Sequence, residues 1–265
     1  DSKWITYSLG QDNANEAIFM YNLESRKVHQ VTSGYYSDFN PVFSRDGKHL
    51  FFLTDRKFQP VYSGLGDGTW IYPNNTHLAA LPLLEEGPDL LKPENDEIGK
   101  EDEQDRENGD EKENDNDKEQ KDEADDKKDK SEITVQVDWD GLSSRVIILP
   151  PDAGNLQNVM AFDKNIIYIR GPVAGDTDEQ PALMLYDLKE RKEEKVMDNI
   201  RQAAPTADGK ALIVQINGQY GIVKPAPGQK IEEPIPTGEL SMQLVPKEEW
   251  RQIFEDTWRR YRDFF

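Results

Sequence analysis

Short apolar runs recur along the chain, each closed by a cluster of turn formers. The string Asn40-Pro41-Val42-Phe43-Ser44-Arg45-Asp46-Gly47-Lys48-His49-Leu50-Phe51-Phe52 returns as Ala204-Pro205-Thr206-Ala207-Asp208-Gly209-Lys210-Ala211-Leu212-Ile213-Val214. In both, Asp-Gly supplies the positive φ of a tight turn, the preceding Pro opens a short strand, and the apolar run after Lys forms a buried one. Each copy predicts a β-hairpin. Weaker copies keep the apolar strand but not the turn residues, at Asp1-Ser2-Lys3-Trp4-Ile5-Thr6-Tyr7 and Asp163-Lys164-Asn165-Ile166-Ile167-Tyr168. A second hairpin follows each of these: Ala17-Ile18-Phe19-Met20-Tyr21-Asn22-Leu23 turns at Glu24-Ser25-Arg26-Lys27 into Val28-His29-Gln30-Val31-Thr32. Its counterpart is Ala182-Leu183-Met184-Leu185-Tyr186-Asp187-Leu188, which turns at Lys189-Glu190-Arg191-Lys192 into Glu193-Glu194-Lys195-Val196.

The spacing of these hairpins sets the predicted architecture. Asp1 and Asp46 lie 45 residues apart, and so do Asp163 and Asp208; that is the length of one four-stranded propeller blade. Asp46 to Asp163 is 117 residues, which falls to 71 once the 46 residues of 86–131 are set aside, one blade enlarged by a loop. Four strands per period without an intervening amphipathic helix predict an all-β chain of propeller blades and disfavour a βαβ fold. A β-sandwich with similar hairpins is the competing topology. About four units, the first starting mid-blade, make a partial ring, since propellers run from roughly four to eight blades. An incomplete ring exposes strand edges, so either a partner segment covers them or the piece is marginally stable alone.

Beyond Pro246 the period changes. Trp250, Phe254, Trp258, Tyr261 and Phe265 recur at helical spacing, with Glu248 and Glu249 at the start and Arg259, Arg260 and Arg262 toward the end, as the helix dipole favours. The aromatic stripe either docks on the side of the blades or opens another domain; the number of aromatics on one face favours the second. The predicted organisation is therefore blades over 1–85 and 132–245, an acidic segment over 86–131, and a helix over 246–265.

Charge separates the acidic segment from the rest. The chain has 265 residues and a formal net charge of −20, with 52 Asp+Glu against 32 Lys+Arg. Positions 94–132 alone hold 20 acids and 8 bases, and 101–130 contain no Val, Leu, Phe, Tyr or Trp. Such a stretch has no apolar surface to offset its ordering entropy, so it predicts a disordered surface insertion. Asp115, Asp117, Asp125 and Asp126 suggest loose cation binding, but Lys118 stands where a calcium loop needs further oxygen ligands and a Gly. The overall charge opposes nucleic acid and anionic membranes as partners. No apolar run approaches the length of a membrane span, and Asp1-Ser2-Lys3-Trp4 lacks the regions of a signal peptide, so a soluble chain is expected. Zero Cys removes disulfides, thiolate metal sites and thiol nucleophiles, and leans toward an oxidising compartment such as the periplasm.

Catalytic motifs are missing. His29, His49 and His77 fall in or beside predicted strands; His29 and His49 read as strand-surface residues. Gly64-Leu65-Gly66-Asp67-Gly68 lacks the Lys-Ser/Thr and helix of a phosphate loop and reads as an inter-strand connection. Ser143, Ser144 and Arg145, a nucleophile and oxyanion partner by type, run straight into Val146-Ile147-Ile148-Leu149-Pro150 and read as strand. No catalytic, cofactor-binding or metal-ligating residue is assigned.

Two longer motifs together resemble one family. Val137-Asp138-Trp139-Asp140-Gly141-Leu142-Ser143-Ser144-Arg145-Val146-Ile147-Ile148-Leu149-Pro150 resembles the D-x-D-G-x-x-x-R-x-x-x-L-P segment in the later propeller of tricorn-type serine proteases, and Asn155-Leu156 is similar to the connection that follows it there. The run from Glu249-Trp250-Arg251 through Arg262-Asp263-Phe264-Phe265 is similar to the helix E-W-x-x-[IM]-F-x-E-x-W-R-x-x-R-D-x-F that opens that family's first catalytic subdomain. The resemblance implies a propeller fragment that filters peptides on their way to a catalytic region elsewhere in a parent polypeptide. The family's general-base His and nucleophilic Ser have no counterpart here, so the chain alone is expected to be inactive. The resemblance implies no cofactor, leaves room for a homo-oligomer, and favours the cytoplasm. The acidic segment departs from the family pattern. The alternative from another class is a stand-alone propeller scaffold binding a protein or glycan, with the tail helix as a lid.

Overall fold

The computed structural model describes residues 2–58, 60–62, 70–88, 90–91, 133–176, 178–241 and 243–264. Four blade-like antiparallel sheets follow one another along the chain. The first holds β1 (Trp4–Gly10), β2 (Glu16–Asn22) and β3 (Val28–Gln30). The second holds β4 (Asp38–Phe43) and β5 (His49–Thr54); a separate two-stranded hairpin of β6 (Val61–Tyr62) and β7 (Trp70–Ile71) then intervenes before β8 (His77–Pro82) and β9 (Ile147–Ile148) complete it. The third is β10 (Asn155–Ala161), β11 (Asn165–Gly171), β12 (Ala182–Asp187) and β13 (Lys192–Asp198), and the fourth β14 (Gln202–Pro205), β15 (Leu212–Ile216) and β16 (Gln219–Val223). One helix, α1 (Pro246–Phe264), ends the described chain.

The turn chemistry is what the repeat demands. Gly47 and Gly209 sit at φ of 71° and 68°. In the first turn the Ser44 hydroxyl donates to Asp46 at 2.6 Å, and Asp46 accepts the Lys48 amide at 3.1 Å; Thr206, Asp208 and Lys210 repeat this at 2.5 and 3.1 Å. The second hairpins also match, with Asn22 accepting the amides of Glu24 and Ser25, and Asp187 those of Lys189 and Glu190. By strand register Pro205 pairs with Leu212 as Phe43 pairs with Leu50. Pro205 is thus the counterpart of Phe43, not of Pro41, because the turn and not the proline holds the register.

Burial follows from the stacking of sheets. The second strand of each inner blade is apolar on both faces, and β5 is buried at every position. Leu50 and Phe52 point toward Ile18, Met20 and Leu81 between the first and second sheets. Phe51 and Leu53, one residue out of phase, point toward Ile166, Tyr168 and Tyr186 between the second and third. Ile167, Ile169, Leu183 and Leu185 then meet Leu212, Val214 and Val223 between the third and fourth. Among the described residues the outermost faces have no such neighbour: Ile5 and Val28 on the first sheet and Ile222 on the last stay exposed, and the ring is open.

Several expectations change here. His49 is a buried residue, not a strand-surface one, because β5 lies between two sheets; its ring nitrogen donates to the Pro88 carbonyl at 3.1 Å. Ser143, Ser144 and Arg145 form a 3₁₀ turn (Leu142–Arg145), and only Ile147–Ile148 of the segment after it is strand. Arg145 donates to the carbonyls of Asp138 and Leu83, and Gly141 takes a φ of 66°, so the loop is clipped to the end of β8 and is structural. The second sheet lacks the tight second hairpin expected of each unit, since β8 and β9 pair across residues 83–146. The acidic segment thus belongs inside the second blade; most of it, with Gly64 to Gly68 and Phe265, lies outside the described residues. The fourth sheet has three strands, and the strap after β16 donates from Gly228 and Gln229 to Lys195 and Val196 of β13. Ile231 of that strap sits where a side chain on Gly221 would be, 2.6 Å from an added Cβ.

Phe52→Ala is expected to destabilise the chain by about 3–5 kcal/mol, while Ile5→Ala on the open outer face costs less than about 1 kcal/mol. Urea unfolding followed by tryptophan fluorescence compares them; equal costs would contradict the stacked-sheet assignment.

Candidate functional site

The first strands of successive sheets, β4, β10 and β14, lie side by side on the inner edge of the arc. A groove of about 600 Å³ runs along them, lined by Pro41, Val42, Val159, Ala161, Ala203 and Ala204, among others. Backbone and small side chains share its lining with the larger Trp4, Phe43, Arg45, Ile133 and Met160.

Asparagines hold these strands in step. Asn40 and Asn158 both occupy left-handed backbone, with φ of 53° and 58°, at bulges in the pairing of β4 with β5 and of β10 with β11. Asn40 Oδ1 accepts the Val159 amide at 2.6 Å, and Asn158 donates from Nδ2 to the Ala203 carbonyl at 2.7 Å. Each side chain therefore crosses from its own blade to the next. Arg45 reinforces the same seam, donating from Nε to the Ala161 carbonyl at 3.3 Å while its guanidinium lies against Gly209 of the fourth sheet.

Ionisable groups at either end of the groove have structural partners. At the turn end, burial pushes the Asp46 carboxyl up, but the Ser44 hydroxyl and Lys48 amide, with the charges of His49 and Lys48, outweigh it and hold the group below its ordinary value. At the other end Asp38 is buried and accepts from Thr54 at 2.6 Å and from Arg56 at 3.0 and 2.8 Å. Burial raises the nearby Asp55 carboxyl, against the lowering effect of the Thr76 hydroxyl bonded to it. In the third blade burial, then the Glu193 carboxylate, raises the Tyr168 phenol, and Arg170 pairs with Glu193 at 2.6 Å. His29 stacks on Trp139 at 4.1 Å, and His77 donates to the Asn75 carbonyl at 2.8 Å. Among the described residues no imidazole is paired with a hydroxyl nucleophile, and no three His, Asp or Glu converge on a metal-sized site. The asparagine seam that shapes the groove carries no sequence signal, because Asn158 lacks the proline that follows Asn40.

Two outcomes follow from this geometry. Asn40→Gly should cost about 1–2 kcal/mol by orphaning the Val159 amide, and Asn40→Ala about 1 kcal/mol more because alanine strains in the left-handed region; urea titration of both variants separates seam from strain. A carboxyl lowered on folding stabilises the native state above its ordinary value of 3.8 and loses that contribution as pH falls through the lowered one. The stability deficit of Asp46→Asn should therefore be full near neutrality and vanish on acidification, as read by thermal melts from neutral pH downward.

Comparison with known proteins identifies the fold. The family model described as the tricorn protease second beta propeller domain matches residues 1–226. Among curated relatives, Tricorn protease homolog 1 of Streptomyces coelicolor is 26% identical over 100% of this chain and 25% of its own length. The Tricorn protease of Thermoplasma acidophilum is 21% identical over 94% of this chain and 21% of its own. The crystal structure of the tricorn protease superposes with a TM-score of 0.70 at 20% identity, covering 100% of this chain and 24% of that one. The chain thus spans about a quarter of the length of these relatives. By the extent of the match, it belongs to the family of the tricorn protease second beta propeller domain.

Proposed function

We propose that this chain is the substrate-filtering propeller of a tricorn-like serine protease and has no hydrolytic activity by itself. The observation that carries the reading is the inner-edge groove: β4, β10 and β14 bound a slot of about 600 Å³ whose lining includes Pro41, Val42, Val159, Ala161, Ala203 and Ala204. A channel along the axis of a propeller admits an extended polypeptide and excludes folded domains. Further blades of the same polypeptide cover the open faces at Ile5 and Ile222 and complete the ring. Helix α1, of which no residue is buried, opens the catalytic subdomain; its Trp250, Phe254 and Trp258 pack there. The working compartment is the cytoplasm, the filter needs no cofactor, and a homo-oligomer of the whole enzyme is compatible with it.

The test is direct. Fluorogenic peptides incubated with the 265-residue chain should show no turnover, while the polypeptide extended past residue 265 should hydrolyse them, with loss of activity after treatment with a serine-directed inhibitor. Turnover by the chain alone, or none by the extended polypeptide, overturns the reading.

A further inference from the structure

In the second, third and fourth sheets a first strand, β4, β10 or β14, lies on the inner side of the second, β5, β11 or β15. Strand β1 is the counterpart of those second strands. Lys3 accepts the Leu23 amide at 2.8 Å, as Lys48 accepts that of Leu83 at 2.9 Å and Lys164 that of Leu188 at 3.0 Å. Trp4 therefore corresponds to His49 and Asn165, and Thr6 to Phe51 and Ile167. Ser2, in the place of Gly47, keeps the left-handed backbone of the same turn, with φ of 53° against 71°. Serine adopts that region at a cost, and in the second and fourth sheets the region belongs to a hairpin turn with a first strand on its other side. Among the described residues β1 pairs with β2 alone, and the first sheet holds no counterpart of β4, β10 and β14.

Hydrogen-bond parity identifies the backbone groups this leaves over. In β5 and β11 the residues that correspond to Trp4 bond inward: His49 accepts the Ser44 amide at 2.9 Å, and Asn165 that of Phe162 at 2.8 Å. Bonding direction alternates along a strand, so Ile5, Tyr7 and Leu9 bond to β2, while Trp4, Thr6 and Ser8 present their amides and carbonyls to the axis. Ser2, Trp4 and Thr6 line the groove together with Val42 and Val159, so this edge opens into it. The other end of the arc differs. Ile235 donates to the Tyr220 carbonyl of β16 at 2.8 Å, so the chain itself runs along that edge.

We propose that the inner edge of β1 receives one further antiparallel strand, supplied by the remainder of a parent polypeptide, which forms the wall of the groove at the first blade. Pairing in the other sheets describes this strand. Opposite Phe51, Ile167 and Ile213 stand Val42, Met160 and Ala204, and opposite Leu50, Ile166 and Leu212 stand Phe43, Ala161 and Pro205. The incoming strand therefore carries two successive apolar residues, one opposite Thr6 and turned to the groove, the next opposite Ile5 and turned to the open outer face. Donors and acceptors repeating at strand spacing match an extended backbone, which a glycan or lipid does not offer. A second copy of the chain is not the ligand, because its strands of this pattern, β4, β10 and β14, are already paired within their own sheets. The chain spans about a quarter of its relatives' length, so a polypeptide of their size has sequence to supply the strand. The source of the strand rests on the fragment reading above; the acceptor edge does not.

The probe is a fluorescein-labelled peptide with the sequence of residues 154–163, which contains β10, measured by anisotropy against the 265-residue chain. In the chain this segment presents Met160 and Phe162 to β11, so N-methylation of those two amides in the peptide should weaken binding about tenfold or more. Thr6→Pro removes an amide from the inner edge alone and should weaken binding of the unmethylated peptide by a similar factor, whereas Thr6→Val keeps the amide and should bind as the parent does. Ser8→Pro is a second variant of the same kind, and the methylated peptide tests the edge with the chain unaltered, so a substitution that lowers the melting temperature leaves the proposal testable. Equal binding by methylated and unmethylated peptides overturns it. So does equal binding by a serine–glycine peptide of the same length, which would make the edge an indiscriminate cradle for passing chains, or self-association in sedimentation that Thr6→Pro abolishes. The turnover assay on the extended polypeptide is independent: strand binding without turnover removes only the protease reading, and turnover without strand binding removes only this one.

Discussion

A strand that is apolar on both faces has only one stable environment, the space between two sheets, and β5 is such a strand. Leu50 and Phe52 go one way, Phe51 and Leu53 the other. Because the side-chain period is two, a slip of one residue would exchange these sets, so the register set by the Asp46–Gly47 turn is also the register of two inter-sheet cores. The same holds for β11, whose Ile166 and Tyr168 face the second sheet while Ile167 and Ile169 face the fourth. Stacking of sheets around a common inner edge follows from that constraint, and the groove is the space the first strands leave at the axis.

Hydrophobic stacking sets the spacing of the blades but only weakly their slide past one another. The polar seam supplies that missing direction. Asn40 and Asn158 hold matching bulges and reach across to Val159 and Ala203, so each innermost strand is positioned by hydrogen bonds that tolerate little displacement. Pro41 occupies on β4 the place that Val159 takes on β10 and has no amide to offer, so a seam from the first blade to the second must use other groups. The strap over β16 is a comparable device at the last sheet: it ties the fourth sheet to β13 without a regular fourth strand.

Membership of the tricorn second propeller family accounts for the arc of blades, and the chain spans about a quarter of the length of its relatives. The β6–β7 hairpin and the acidic run, both inserted in the second blade, are what distinguish this blade from its neighbours. The hairpin carries exposed aromatic rings, and the acidic run contributes more than half of the net charge in sequence.

Local chemistry was enough to read the hairpins. Asp-Gly turns, the alternation along β2 and β12, and the 45-residue spacing each depend on neighbours a few positions apart, as does the four-residue aromatic period of α1. The motif from Val137 to Pro150 is readable as a family mark but not as a 3₁₀ turn, because Arg145 is held by carbonyls of Asp138 and Leu83, the latter 62 positions away in sequence. His49 was misjudged for a similar reason: polarity alone cannot report that both faces of β5 are covered. Asn158 bonding across 45 positions to Ala203, β8 pairing with β9 past the acidic run, and aromatic residues left in solvent around Trp70 are all non-local. Periodicity determined which segments are strands; only the closing of long loops, which no local preference records, decided which strands meet and which rings stay outside.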